Sequence, residues 1–236
     1  GIRKAVLDGH NKYGPTAGIM PLREAVAERY SRYGALTAGN VMITPSGSSA
    51  LLEISQAFIN PGDEVLVPSP GFVIYSPHAK LAGGKPVEYS FVGEDFQPDM
   101  ERMQSLVTGN TKAIYVNNPS NPTGSILSEE SWKALCDLAD DKDLMIVSDE
   151  VYDGFVYEGK HRSFIPRLDR AIVVGGFSKM MAVTGWRLGF VLSNESFMDP
   201  LVKMQYHVCA SPAMPPMYGV LAAMPEIDEY LEVARQ

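Results

Sequence analysis

Two patterns of apolar and polar residues alternate along this chain. Short β-branched runs bounded by Gly, Pro or Asn are typical of buried strands, and apolar residues spaced three and four apart indicate helices that pack on one face. Strand-like runs begin near residues 41, 64, 87, 112, 144, 171 and 188, and helical segments separate most of them. The alternation predicts an α/β fold, with three α/β/α layers built on a mostly parallel sheet of about seven strands.

The helical segments are predicted to cover this sheet. Pro21 stands at a helix start, followed by Leu22, Val26 and Tyr30 on one face. A further helix is predicted from 128 to 140. The apolar residues near the C-terminus are predicted to face a core, namely Tyr218, Leu221, Ala222, Met224 and Tyr230. No repeat or linker interrupts the pattern, so we expect one domain over residues 1–236, with 213–236 leading toward another region.

Polar residues follow several of the predicted strands directly. In open parallel sheets, ligands bind in the crevice beyond the carboxyl ends of the strands. A cap or turn explains any one of these residues alone, but their occurrence at four strand ends predicts a binding crevice. The set comprises Ser46 to Ser48, Asn121, Asp149, Tyr152 and Lys179.

Lys179 and Arg187 both follow the strand-like run at 171–174. A lysine at a strand end serves either as a solvated loop residue or, when its amine is neutral, as a nucleophile that attacks a carbonyl. An arginine eight residues later is suited to bind a phosphate through two parallel hydrogen bonds. Ser46-Gly47-Ser48 at a helix start is either a plain N-cap or an anion site formed by free backbone N–H groups.

The composition of the chain argues against several classes of function. The formal net charge of -8 and pI near 5.0 argue against a nucleic-acid partner, because such binding requires clustered Lys and Arg. The two cysteines and four histidines are scattered, which predicts neither a metal site nor a disulfide framework and favours a reducing, cytoplasmic location. No apolar run is long enough for a membrane span. Signatures of dinucleotide, P-loop, zinc-protease and serine-hydrolase sites are missing.

Three segments, taken together in this order and spacing, resemble the class I/II aminotransferases, which are pyridoxal-phosphate enzymes of fold type I. The resemblance runs from about Tyr13 to the end of the chain. The segments are Asn121-Pro122-Thr123-Gly124, Ser148-Asp149-Glu150-Val151-Tyr152, and Ser178-Lys179 with Thr184-Gly185-Trp186-Arg187.

The resemblance implies a role for each candidate residue. Lys179 would form the Schiff base with pyridoxal 5'-phosphate and move a proton, while Asp149 would keep the pyridine nitrogen protonated. Further cofactor contacts would come from Asn121 and Tyr152 at the ring oxygen, Phe72 on the ring face, and Gly47, Ser48 and Arg187 around the phosphate. Ser46 and Ser178 are also expected to bind the cofactor. Tyr13 matches a tyrosine that the family lends to the neighbouring subunit, which implies a homodimer.

The implied reaction is exchange of an amino group between an amino acid and a 2-oxo acid. Two alternatives stay open: a lyase or decarboxylase on the same fold, and a non-catalytic ligand-binding module of a transcription regulator. One residue departs from the family pattern, since Gly176 stands where the family usually has a phosphate-binding serine. The family's chains are also longer, so we interpret residues 1–236 as its large, cofactor-binding domain and expect the substrate-carboxylate arginine elsewhere.

Overall fold

The computed structural model describes all residues from 1 to 236. Its main feature is one seven-stranded sheet in the order β1-β9-β8-β7-β6-β2-β3. The strands of this sheet are β1 (Val41–Thr44), β2 (Glu64–Pro68), β3 (Lys85–Tyr89), β6 (Thr111–Asn117), β7 (Met145–Asp149), β8 (Ala171–Gly176) and β9 (Gly189–Leu192). All seven strand-like runs of the sequence are therefore strands of this sheet.

Strand direction confirms the mostly parallel prediction. β3, β2, β6, β7 and β8 pair in parallel, while β9 runs antiparallel to both β8 and β1. The carboxyl ends of β6, β7 and β8 consequently meet at one edge, where Asn117 pairs with Asp149 and Asp149 with Val174.

Ten helices flank the sheet or connect its strands. They are α1 (Ile2–Leu7), α2 (Met20–Tyr30), α3 (Gly47–Phe58), α4 (Tyr75–Leu81), α5 (Met100–Leu106), α6 (Glu129–Asp141), α7 (Phe177–Met180), α8 (Glu195–Cys209), α9 (Met214–Ala223) and α10 (Ile227–Ala234). Ser128 caps α6 by accepting a hydrogen bond from Ser131 N. The helix begins and ends within one residue of the range predicted from the sequence, 128 to 140.

Two apolar cores form because successive side chains of a buried strand point to opposite faces. On β7, Ile146 belongs to the core under α2, α6, α9 and α10, and Val147 belongs to the core under α3, α4 and α8. Both faces of the sheet are thus covered, which gives the three α/β/α layers.

The predicted inward face of the C-terminal helices was partly wrong. Met217 and Val220 are buried in α9, and Ile227 and Leu231 in α10, whereas Ala222 and Tyr230 are exposed. A mixed run of Met, Ala, Leu and Tyr is apolar on several faces, so composition alone did not fix the helix rotation.

One small element was not predicted. β4 (Phe91–Val92) and β5 (Gln97–Pro98) form a separate two-stranded sheet, and α5 begins only after Asp99, whose side chain caps it. No helix of the chain combines the length and the apolarity needed to cross a bilayer.

Candidate active site

A cavity of about 220 Å³ opens at the edge where the parallel strands end. Ten of the eleven residues proposed from the sequence line it, and the structure therefore brings together segments far apart in the chain. These ten are Ser46, Gly47, Ser48, Phe72, Asn121, Asp149, Tyr152, Ser178, Lys179 and Arg187. Tyr13 does not line the cavity of its own chain, and 88% of its surface is exposed.

Asp149 forms the floor of the cavity. It is the last residue of β7 and only 3% exposed, and its Oδ2 accepts a hydrogen bond from the Tyr75 hydroxyl at 2.9 Å. Burial raises its pKa to about 6, against the lowering effect of the Tyr75 hydrogen bond. A buried carboxylate with no cationic partner is suited to receive a positively charged ligand group.

Asn117 fixes the loop that carries Asn121. Its side-chain amide donates to the backbone oxygens of Pro119, at 3.1 Å, and Asp149, at 3.0 Å. Its Oδ1 accepts from Asn121 N at 2.6 Å. The ends of β6 and β7 and the following loop are therefore joined by one side chain.

Tyr152 and Lys179 lie on the open side of the cavity. Lys179 Nζ is 5.9 Å from the centroid of the Tyr152 ring. Partial burial, followed by the nearby Asp149 charge, raises the pKa of the Tyr152 hydroxyl, so it is a hydrogen-bond donor at neutral pH. Lys179 lies in the short helix α7, is exposed, and takes part in no ion pair.

The start of α3 leaves backbone N–H donors free at the cavity. The Ser46 side chain is the N-cap and accepts from Ser49 N at 3.0 Å, so the N-cap interpretation of this serine is correct. The backbone N–H groups of Gly47 and Ser48 have no partners within the helix and lie at the positive end of its dipole. β9 runs close beneath, since a Cβ at Gly189 would lie 2.5 Å from Gly47 N.

Arg187 stands beside this helix start. Its backbone has a φ of 54°, in the left-handed region that non-glycine residues rarely adopt, and its guanidinium donates to Thr184 O at 3.0 Å. The side chain is exposed and makes no ion pair with any carboxylate. Two cations, Lys179 and Arg187, thus share a cavity with one buried carboxylate.

A second cavity of about 550 Å³ lies on the other side of Lys179. It shares Asn121, Tyr152 and Thr184 with the first, and adds the aromatic side chains of Phe155 and Tyr157. The site therefore has two compartments that meet at the lysine.

Five lining or supporting residues received no role from the sequence: Leu51, Tyr75, Asn117, Val151 and Thr184. The Tyr75–Asp149 contact joins residues 74 positions apart, so no local pattern indicates it. Thr184 and Val151 belong to the segments that resemble the family. Their closeness in sequence to Arg187 and Asp149 was the one signal that could have predicted their place in the site.

Residues 3–236 match the sequence profile of the family Aminotransferase class I and II. The chain belongs to this family. Among similar proteins is an aromatic-amino-acid aminotransferase 2 from Thermococcus litoralis, which is 38% identical over 94% of this chain and 59% of its own length. An aspartate/prephenate aminotransferase from Thermus thermophilus is 37% identical over 99% of this chain and 63% of its own.

Solved aminotransferase structures have the same fold. A double mutant of the Thermus thermophilus aspartate aminotransferase superposes with a TM-score of 0.95 at 37% identity, covering 99% of this chain and 63% of that one. An aromatic aminotransferase from Pyrococcus horikoshii gives a TM-score of 0.94 at 34% identity, covering 99% and 65%. The chain spans about three fifths of the length of the curated relatives it matches.

The family depends on pyridoxal 5'-phosphate, and the residues present fit that group. Asp149 is a buried carboxylate without a cationic partner, which suits a protonated ring nitrogen. The unpartnered N–H groups of Gly47 and Ser48 and the free guanidinium of Arg187 suit a phosphate. An exposed lysine lies between these two regions.

Proposed function

We propose that the protein to which this chain belongs is a pyridoxal-phosphate-dependent aminotransferase, which exchanges an amino group between an amino acid and a 2-oxo acid. The observation that carries the proposal is the lining of one cavity by Lys179, Arg187 and Asp149, with neither cation paired to a carboxylate. The aminotransferase activities in the names of the similar proteins support it.

Each residue has a defined task in this proposal. When bound, pyridoxal phosphate supplies a carbonyl that an amine attacks and a ring that withdraws electrons from the amino acid's α-carbon. Asp149 holds a proton at the ring nitrogen, and its burial excludes water from that contact. Lys179 Nζ would hold the cofactor at its carbonyl carbon until the amino group of the substrate takes its place there, and the freed amine would then move a proton at the substrate α-carbon.

The remaining residues orient the cofactor. Ser46 caps α3 and leaves the N–H groups of Gly47 and Ser48 free, so these groups and Arg187 would hold the phosphate. Tyr152 and Asn121 would donate hydrogen bonds to the ring oxygen. Phe72 would pack on the ring, and Ser178, which lines the same cavity, would add a cofactor contact.

We further propose a cytoplasmic homodimer in which Tyr13 reaches the phosphate of the neighbouring subunit. Its high exposure leaves the phenol free for such a contact. Residues 1–236 would form the cofactor-binding domain, with 213–236 leading to a smaller domain. The greater length of the curated relatives supports this division.

Borohydride reduction in the presence of pyridoxal phosphate tests the proposal, because it makes the link to the lysine permanent. Peptide mapping is expected to find the label on Lys179 alone, and Lys179→Ala is expected to abolish it. Lys142→Ala, which removes an exposed lysine at the end of α6, is the matched control and should leave labelling unchanged. A label on another lysine in the native protein would refute the assignment.

A further inference from the structure

A cluster of buried ionisable groups lies directly behind the floor of the site. Glu150, Asp153 and His161 are 1%, 7% and 6% exposed. The Glu150 carboxylate accepts three hydrogen bonds: from Ser148 Oγ at 2.9 Å, from Phe164 N at 2.9 Å, and from His161 Nε2 at 3.0 Å. Glu150 therefore joins the end of β7 to residues 11 and 14 positions further along the chain.

Asp153 brings a second carboxylate to the cluster. Its Oδ2 accepts from the Tyr30 hydroxyl at 2.8 Å and lies 3.9 Å from the half-exposed guanidinium of Arg32. The Tyr33 ring meets the His161 ring edge-on, with centroids 5.9 Å apart. These residues, with Glu150, are the titratable and charged groups that face the imidazole.

Two buried atoms of the cluster have no hydrogen-bond partner: His161 Nδ1 and Asp153 Oδ1. Buried polar atoms in folded proteins are nearly always paired, so an unpaired acceptor and an unpaired ring nitrogen in one cluster need an explanation. A proton on Nδ1 makes the ring a cation with two donors, and it offsets the charge of two buried carboxylates.

The segment that this cluster ties down carries residues of the candidate site. Between β7 and Phe164 the chain has neither strand nor helix, and no backbone N–H from 156 to 163 donates to a backbone oxygen. Tyr152, Phe155 and Tyr157, which line the cavities beside Lys179, lie on this segment. The position of segment 150–164 consequently depends on side-chain contacts. The contacts made by Glu150 and His161 are buried.

We propose that His161 is a positioning residue for the Tyr152 side of the site: its imidazolium, hydrogen-bonded to Glu150 and attracted by the charge of Asp153, fixes segment 150–164 against the end of β7, and loss of the proton loosens the segment. This role concerns the order of the segment itself and extends beyond the proposed transamination.

The direction of the pH effect follows from the surroundings of the imidazole. Burial lowers the pKa of His161, but the Glu150 hydrogen bond and the charges of Glu150 and Asp153 outweigh it, so the pKa is raised overall. A histidine whose folded pKa is raised contributes stability below its unfolded pKa and loses it as the pH rises through the folded value. The segment is therefore ordered while His161 is protonated and loosens as the pH rises through the folded pKa.

Nuclear magnetic resonance of histidine-labelled protein tests the protonation state. The chain has only four histidines, so His161→Gln assigns the His161 ring signals by their loss. We expect the His161 ring to titrate above the ordinary value of about 6.5. A His161 titration at or below that value would overturn the proposal. If His161→Gln is too unstable for the assignment, removal of His10, His78 and His207 assigns the remaining signals instead.

Hydrogen exchange tests the release of the segment. After correction for intrinsic rates, protection of the hydrogen-bonded amides of Asp153, Phe155 and Phe164 is expected to fall on the order of tenfold or more as the pH passes through the His161 titration. His161→Gln should show low protection at every pH, while His207→Gln, on an exposed face of α8, should behave like the native protein. Protection that does not follow the titration, or that keeps its pH dependence in His161→Gln, would contradict the role. No cofactor is present in this measurement, so its failure is distinct from failure of the proposed function.

Discussion

The floor and the rim of the site are built in different ways. The floor residue Asp149 ends a central strand, is almost fully buried, and is held by Tyr75 and by the backbone N–H of Val151 at 3.4 Å. The rim residues Lys179 and Arg187 are exposed, and their only polar side-chain contact is from Arg187 to Thr184 O. The fold itself orients the floor, whereas the rim cations are left for a ligand to pair.

Backbone conformation shows the same contrast. β7 has regular parallel pairing on both sides up to Asp149. The rim segment contains Ala182 and Arg187 with φ values of 52° and 54°. Each such residue costs about 1 kcal/mol and persists only where its surroundings impose it, which is common at ligand sites. The comparison predicts that variants of the floor residue Asp149 change the chemistry and that variants of the rim residue Arg187 change cofactor binding.

The largest expected effect is on the floor. Asp149→Asn keeps the shape of the side chain but removes the negative charge that would hold a proton at the ring nitrogen. We expect turnover to fall by about 100-fold or more while borohydride labelling of Lys179 persists. Stopped-flow measurement of the half-reaction with an amino acid, alongside peptide mapping, separates the two effects. Near-native turnover would show that Asp149 is structural only.

A second buried carboxylate, Glu53 in α3, serves as a comparison for Asp149. It is fully buried, its Oε1 accepts from Ser49 Oγ at 2.6 Å, and its Oε2 has no partner. Burial raises its pKa to about 7, with the Ser49 hydrogen bond opposing the change. Unlike Asp149, Glu53 lines neither cavity beside Lys179.

Glu53→Gln should therefore change stability and leave turnover intact. The folded pKa of Glu53 is raised, so folding favours its protonated form. The folded protein therefore loses stability as the pH rises from about 4.5 to 7, by up to about 3 kcal/mol. The variant should lose this dependence and be relatively more stable at pH 8 than at pH 5. Urea denaturation of both proteins at the two pH values measures it. An identical pH slope in both proteins would place the titration elsewhere.

On the rim, Arg187→Ala should weaken phosphate binding by about 10- to 100-fold, because a charge-assisted hydrogen-bonding partner is lost. Arg187→Lys should recover only part of this, since an ammonium cannot form the two parallel bonds of a guanidinium. The measurement is a titration with pyridoxal phosphate and with pyridoxal, which lacks the phosphate. Equal weakening of both ligands would show that Arg187 supports the loop and does not bind the phosphate.

The sequence predicted the sheet well because each buried strand leaves a local signal, a β-branched run such as 171–174 ended by Gly175 and Gly176. The candidate residues at the strand ends were predicted because parallel topology brings such ends together. The Tyr75–Asp149 hydrogen bond and the His161–Glu150 pair were not predicted. They join residues across loops, and the spacing of apolar residues does not predict the conformation of a loop. The α9 and α10 faces were partly misassigned because their residues are apolar on several sides.

The smallest expected effect is a gain at Gly176, which lines the same cavity as the α3 N-terminus and Arg187. Its φ of -162° is an extended conformation open to any residue, and an added Cβ would meet only Val151 atoms at 3.5 and 3.9 Å. Gly176→Ser thus adds a hydroxyl donor without strain and should tighten pyridoxal phosphate binding by about 2- to 10-fold. Gly176→Ala is the matched control, because it adds the same Cβ without a donor and should leave the affinity unchanged. If serine and alanine shift the affinity equally, the hydroxyl does not reach the phosphate, and the anion site consists of the α3 N-terminus and Arg187 alone.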